Sequence, residues 1–501
     1  MMDTKLLRDG PSSKQETVLS FLGIEVVALI CFGFAGATGL TLLRAVGVCI
    51  ALFLYPLAKN RLAIGSITKK DLYFMIPALL LPFFLGFSAF QFAINSGSVL
   101  SPLLDGLLVS LGLIGMAALG LFLNTLNAKT RKYALYGVLG GLALVVLITM
   151  LYWLYCYGPF YAVIHSGEVY YYDGVVFPIA TEGKYLDGFA FVDVDMYFAK
   201  TISFALSCSG AGLFALLFKK MDNRDIIVIS VCSGIGLLDI VLTPFIRGII
   251  LLVLIYLIAF AVAMFMKLRR KDETAAKAVD LAAKIIFFVL IGIVAIGCLL
   301  LFIDAYLIGN GEGILCKIPL IGAYFEPGGT MYTLETAISQ LMFNSDAAGR
   351  RSFDLVSLLF GAKDPIAYDL RMFEFQVLYQ NGLLAFLLLL YAAFFGMLKG
   401  YRLLSSDEGK EAIPYAYCFI ALGVFVYLSF CDSEMPLRHP SDLNGIFSSH
   451  SSSLLQWSRG VPCMLLAYCL GAIYRPESYK QMAEEKPVAK NYEYEEVNVN
   501  E

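Results

Sequence analysis

Charge is what this sequence has least of: Asp, Glu, Lys and Arg together make up 15% of 501 residues. Soluble domains carry about 25%, so a water-facing surface cannot be assembled from this chain, and soluble domains of any number are excluded. The 37 basic and 40 acidic side chains leave a net charge of -3, which gives no long-range pull toward nucleic acid. Nucleic-acid partners are set aside. Histidine is sparse, with three residues, and the 11 cysteines stand singly with no Cys-x-x-Cys pair and no metal-ligand spacing. Most of those cysteines lie inside apolar runs, where a thiol packs as a small hydrophobe. No metal site and no cofactor site is expected.

What the chain does have is apolar length. Hydrophobic types make up 59% of it and mean hydropathy is +0.75. A span needs about 20 apolar residues, and runs of that kind fall near 17–34, 39–58, 72–94, 102–126, 134–156, 197–218, 226–242, 248–266, 285–308, 376–398, 413–431 and 457–474. The expected fold class is therefore all-α: a polytopic membrane helix bundle of about twelve transmembrane helices with large extracytoplasmic loops. The basic start with Lys5, Arg8 and Lys14 imitates a secretory signal, but a second apolar run follows at once, so the first run is read as an uncleaved span.

The segments 59–71, 127–133, 219–225, 267–284 and 399–412, with both termini, hold 26 of the 37 Lys and Arg residues. By the positive-inside rule these belong to the cytoplasmic side. The expected organisation is a single membrane domain over 1–474 with both termini cytoplasmic, and a polar tail over 475–501 too poor in apolar residues to pack. Two outer segments, 157–196 and 309–375, are too long to be mere connectors. Leu334, Ile338 and Leu341 recur at helical spacing in 332–342, as do Phe353, Val356 and Leu359 in 352–360. These predict short amphipathic helices, lying either on the membrane surface or as a cover over the bundle.

Arginines on the outer side run against the charge trend and need a reason other than topology. Arg247 stands at the outer end of the eighth span, after Thr243-Pro244. A guanidinium there offers five donors in a fixed fork and suits a lipid-attached phosphate or diphosphate; snorkelling to headgroups accounts equally for a single interfacial arginine. Arg350, Arg351 and Arg371 extend the set, interleaved with Asp346, Asp354, Asp364, Asp369 and Glu374, so pairing within the loop is the competing reading. Glu374 lies among Phe373, Phe375, Val377 and Leu378. Partial dehydration there raises a carboxyl pKa and makes a better proton acceptor, and Arg371 is its alternative partner. In the loop 157–196, Tyr170, Tyr171 and Tyr172 are left over once an interfacial aromatic belt is allowed for, and with nearby acids they suit stacking on sugar rings.

Four segments resemble the O-antigen ligase and O-antigen polymerase group of bacterial polytopic glycosyltransferases. Asp193-Val194-Asp195-Met196-Tyr197-Phe198-Ala199 is similar to that group's Asp-Pro-Asn-x-x-Ala lead into a span, and Leu242-Thr243-Pro244-Phe245-Ile246-Arg247-Gly248 to its Thr-x-Ser-Arg-Gly motif. Gly349-Arg350 with Leu359-Phe360-Gly361 resembles its Gly-Arg and Phe-Gly pair, and Glu374 through Gly382-Leu383-Leu384-Ala385-Phe386 the segment opening the next span. Ile246 replaces a serine, Asp195 an asparagine, and no histidine precedes the last of these spans, which favours polymerase over ligase.

The resemblance implies glycan transfer from an undecaprenyl diphosphate carrier to a sugar hydroxyl on the outer face of a bacterial cell membrane, with inversion and without metal or cofactor. Arg247, Arg350 and Glu374 would be catalytic, and Arg351, Arg371, Asp195 and Tyr170 to Tyr172 would bind substrate. The implied partners are the bilayer, the polyprenyl diphosphate-linked oligosaccharide and a chain-length regulator. Ligase-type transfer to a non-carrier acceptor, and a transporter or flippase of lipid-linked oligosaccharide, are the alternatives; the unlike halves of the chain count against transport.

Overall fold

A computed structural model describes residues 128–157, 169–172, 175–178, 196–219, 221–242, 246–269, 273–309, 313–319, 322–326, 331–345, 351–363, 370, 372–405, 412–431 and 457–474, with parts of the helical segments in 73–85 and 110–123. Helices dominate. We number the long ones α1 (Ala128–Tyr157), α2 (Met196–Ala215), α3 (Asn223–Leu242), α4 (Ile246–Arg269) and α5 (Glu273–Gly309), then the short α6 (Tyr332–Met342) and α7 (Leu355–Phe360), then α8 (Phe373–Ser405), α9 (Ala412–Phe430) and α10 (Trp457–Ile473). Each long helix coincides with a span expected from hydropathy. Five stretches among the described residues are long and apolar enough to cross a bilayer: Asn223–Leu242, Arg247–Arg269, Glu273–Leu307, Phe373–Leu404 and Ala412–Phe430. The chain is a membrane protein built as a helical bundle. The expected spans 17–34 and 39–58 lie outside the described residues, and 72–94 and 102–126 are described only in part.

The core forms around α2, whose Thr201, Ser203, Ser207 and Ser209 are fully buried. In a bilayer lipid tails are as apolar as leucine, so helices associate through close packing and interhelical hydrogen bonds. Both operate here. A Cβ on Gly236 of α3 would meet the Ser203 carbonyl at 2.5 Å, and one on Gly423 of α9 would meet Cys208 Sγ at 2.7 Å. The Ser203 hydroxyl donates to Asp239 of α3 at 2.6 Å, and the hydroxyls of Ser233 and Tyr256 each donate to the Ser207 carbonyl at 2.9 Å. Outward, α5 presents Phe288, Ile293, Ile296 and Leu299, all more than half exposed, as a lipid-facing helix must.

Polar contacts gather the basic segments at one end of the bundle. Lys132 pairs with Asp222 at 2.7 Å and Asp225 at 2.9 Å, tying 127–133 to 219–225. Lys219 donates to the Tyr415 hydroxyl at the start of α9 at 2.7 Å, and the Lys267 ammonium sits 4.5 Å from the Phe218 ring centre. Arg269 reaches Asp280 at 3.4 Å, and Tyr401 donates to the same carboxylate at 3.2 Å, joining 267–284 to 399–412. Four segments grouped on one side by charge alone therefore touch one another.

At the other end short strands accompany the helices of the all-α bundle. Two antiparallel hairpins occur: β1 (Val169–Tyr172) with β2 (Val175–Pro178), and β3 (Phe343–Ser345) with β4 (Arg351–Phe353). Asp173-Gly174, the dipeptide that two-residue hairpin loops favour, joins the first pair. The amphipathic helix expected over 332–342 is α6, and its apolar face packs on the end of α5 with Leu334, Ala337, Ile338 and Leu341 buried beside Ala305. It is a cover over the bundle. The helix expected over 352–360 starts later, at Leu355, because Asp354 caps it: its carboxylate accepts from the Ser357 N–H at 3.1 Å and from the Ser357 hydroxyl at 3.0 Å. Residues 351–353 are instead the strand β4.

Candidate functional site

The end of the bundle opposite the basic contacts is set by helix direction. α4 and α8 both finish at that contact end, through Arg269 and Tyr401, so both begin at the other. Arg247 is exposed in the first turn of α4, about 33 Å along the helix from Arg269 at ~1.5 Å per residue. Glu374 lies in the first turn of α8 and is half-buried. Its Oε1 accepts a hydrogen bond from the Ser429 hydroxyl near the end of α9, whose oxygen also lies 2.8 Å from the Phe425 carbonyl. The described structure therefore gives Glu374 a serine partner that its sequence neighbours do not announce.

Of the other expected site residues, Arg350, Arg371 and Asp195 lie outside the described residues. Arg351 is placed by its backbone on β4, opposite Ser345, and Tyr170, Tyr171 and Tyr172 by theirs on β1, opposite Phe177, Val176 and Val175. Arg351 is held in register by the segment that follows it. The Asp354 N–H donates to the Met342 carbonyl at 2.8 Å, and its carboxylate pairs with Lys363 at 3.0 Å. Burial pushes the Asp354 carboxyl up, but the Ser357 N–H and hydroxyl and the Lys363 ammonium outweigh it and hold it below its ordinary value. Just before Arg371, the Leu370 N–H donates to the buried Gln376 side-chain oxygen at 2.6 Å.

Two carboxyl groups that the charge analysis does not single out stand at this end. Asp304, in the last turns of α5, is 2% exposed, and Glu335, in the first turn of α6, is fully buried. Asp304 Oδ1 accepts from the N–H groups of Ile314 and Leu315, at 2.5 and 3.1 Å. The two carboxyls interact, and desolvation, then the hydrogen bond and charge of Asp304, push Glu335 up to about 8. A sequence signal for Glu335 exists: it shares a helical stripe with Ile338 and Met342, an acid on an otherwise apolar face. Asp304 similarly interrupts the apolar run 285–308.

Among the described residues no group of three or more His, Cys, Asp or Glu side chains is placed to hold a metal ion. What the arrangement offers is an exposed cation, Arg247, and a serine-held carboxylate, Glu374, at the same end of a membrane bundle. The chain matches no family model, no curated protein and no solved structure.

Proposed function

We propose that this chain is a metal-independent glycosyltransferase that polymerises lipid-linked polysaccharide repeat units on the outer face of a bacterial cell membrane, as in making a capsule or exopolysaccharide. The observation that carries the reading is the position of Arg247 and Glu374 at the end of the bundle opposite the basic, cytoplasm-type segments, together with the motif order of the sequence. In the reaction an acceptor sugar hydroxyl attacks the anomeric carbon of a glycan on undecaprenyl diphosphate. The C–O bond to the diphosphate breaks, and the lipid diphosphate departs with that bond's electron pair. Arg247 and Arg350, with Arg351 and Arg371, stabilise the charge that develops on it. Glu374 takes the hydroxyl proton, and direct displacement inverts the anomeric centre. Asp195 and Tyr170 to Tyr172 hold the sugar chain. Because the leaving group is already good, alignment and fixed charge supply most of the acceleration.

The test supplies a defined diphosphate-linked oligosaccharide to the purified protein in detergent. Longer lipid-linked chains support the reading; none in wild type overturns it. One feature favours a second reading. Gly382 breaks α8 with φ 86° and ψ 178°, and interrupted membrane helices are common in transporters. A flippase of lipid-linked oligosaccharide would move the same substrate across vesicles without lengthening it.

A further inference from the structure

Glu335 is an acid placed where, among the described residues, an ionised carboxylate has nothing to hold it. It is fully buried on the apolar face of α6, in the cluster that includes Leu334, Ile338, Leu341 and Ala305. Among the described residues, apart from the two carboxyls themselves, no N–H or O–H donor reaches either of its carboxyl oxygens, nor Oδ2 of Asp304. The group it meets is the Asp304 carboxyl itself. Asp304 is provided for on its other oxygen, where the Ile314 and Leu315 N–H groups stabilise a negative charge. Two buried carboxylates in contact repel strongly, and the arrangement becomes satisfied when a single proton lies between them.

Among the described residues the surrounding charges do not offer another solution. On the turn beside α6, Lys317 and Glu326 are exposed to solvent. Asp354 at the head of α7 is engaged by Lys363 and Ser357, and Glu374 on α8 by Ser429. We propose that Glu335 and Asp304 form one proton-binding site that latches α6 onto the end of α5: with the proton bound the cap helix is docked, and when the proton leaves to water the paired carboxylates drive it off.

The direction of the pH effect follows from linkage. The docked state binds a proton that the undocked Glu335, near its ordinary value of 4.5, releases; docked, it titrates at about 8. Docking is therefore strongest in acid and weakens as pH rises between these values, with the opening constant growing about tenfold per pH unit and levelling off above the upper one. The site is separate from the residues assigned to glycan transfer, so its test needs no substrate.

The experiment uses the full chain in detergent, titrated across this range. Infrared difference spectroscopy follows the C=O stretch of a protonated carboxyl, and hydrogen exchange, corrected for its intrinsic pH dependence, follows the amides of 332–342. The expected result is a carboxyl band at neutral pH that vanishes as pH rises, exchange of 332–342 that accelerates about tenfold per unit before its plateau, and the loss of both effects in Glu335→Gln. Asp304→Asn, which removes the repelling charge, should flatten the pH dependence. A band unchanged by Glu335→Gln, or wild-type exchange with no pH dependence after correction, overturns the latch. Should the variants fail to fold, the wild-type exchange profile alone decides.

Discussion

Gly361 and Gly382 interlock. A Cβ on Gly361 would overlap the Gln380 carbonyl, and one on Gly382 would overlap the Leu359 carbonyl, so each glycine lets its segment close on the backbone beside the other. Both have positive φ, 99° and 86°, and the Ala362 N–H donates to the Tyr379 carbonyl between them at 2.8 Å. The end of α7 is thereby clasped to the break in α8.

Gly361→Ala and Gly382→Ala should each lower the thermal midpoint of the detergent-solubilised protein. A positive φ with extended ψ is essentially confined to glycine and costs an L-residue about 1–3 kcal/mol, and the overlap adds to it. An alanine variant that melts with wild type would refute the clasp.

Asp354→Ala removes the cap of α7 and the Lys363 partner. The cap alone contributes about 1 kcal/mol, so proteolysis within 351–363 should accelerate. Because the Asp354 carboxyl is held below its ordinary value, its contribution is complete at neutral pH and disappears as pH falls through that lowered value. Wild type should approach the variant's cleavage rate in acid, and equal rates at neutral pH would count against the cap.

Cysteine substitutions at Asp222 and Glu273, in a background without other accessible thiols, should react with a membrane-impermeant reagent from one face of sealed vesicles, and at Lys317 from the other. The contacts of Lys132, Tyr401 and Arg269 place the first two at one end of the bundle. Labelling of all three from one face would contradict this arrangement.

Arg247→Lys retains the charge but loses the fork. We expect polymer formation to fall about tenfold or more, measured beside the thermal midpoint so that a loss of fold is told apart from a loss of the site. Glu374→Gln should depress the same rate while keeping an acceptor for Ser429. If both variants extend chains at the wild-type rate, the transfer site proposed above is misplaced.

The long helices among the described residues were legible because apolar length acts locally along the chain. The same is true of α6, where Leu334, Ile338 and Leu341 recur at the helical period over the range in which the helix forms. The helical spacing of Phe353 places the start of α7 too early, because the Asp354 cap outweighs it. The first hairpin carried its own mark in Asp173-Gly174, overshadowed by the aromatic character of Tyr170 to Tyr172. The meeting of Asp304 with Glu335, and of Glu374 with Ser429, depends on how separate helices cross. No period or local motif encodes such a contact, and charge counting hid it by scoring each acid as an isolated loop or span residue.

The tight seating of α2 between Gly236 and Gly423 bears on how this protein can move. Helices meeting with their backbones nearly touching have no slack in which to slide or roll, and each serine bridge across the seam would have to break for them to try. α2, α3 and α9 therefore behave as a stator. Any working stroke falls to the periphery: the lipid-bathed α5 and the cap riding on its tip.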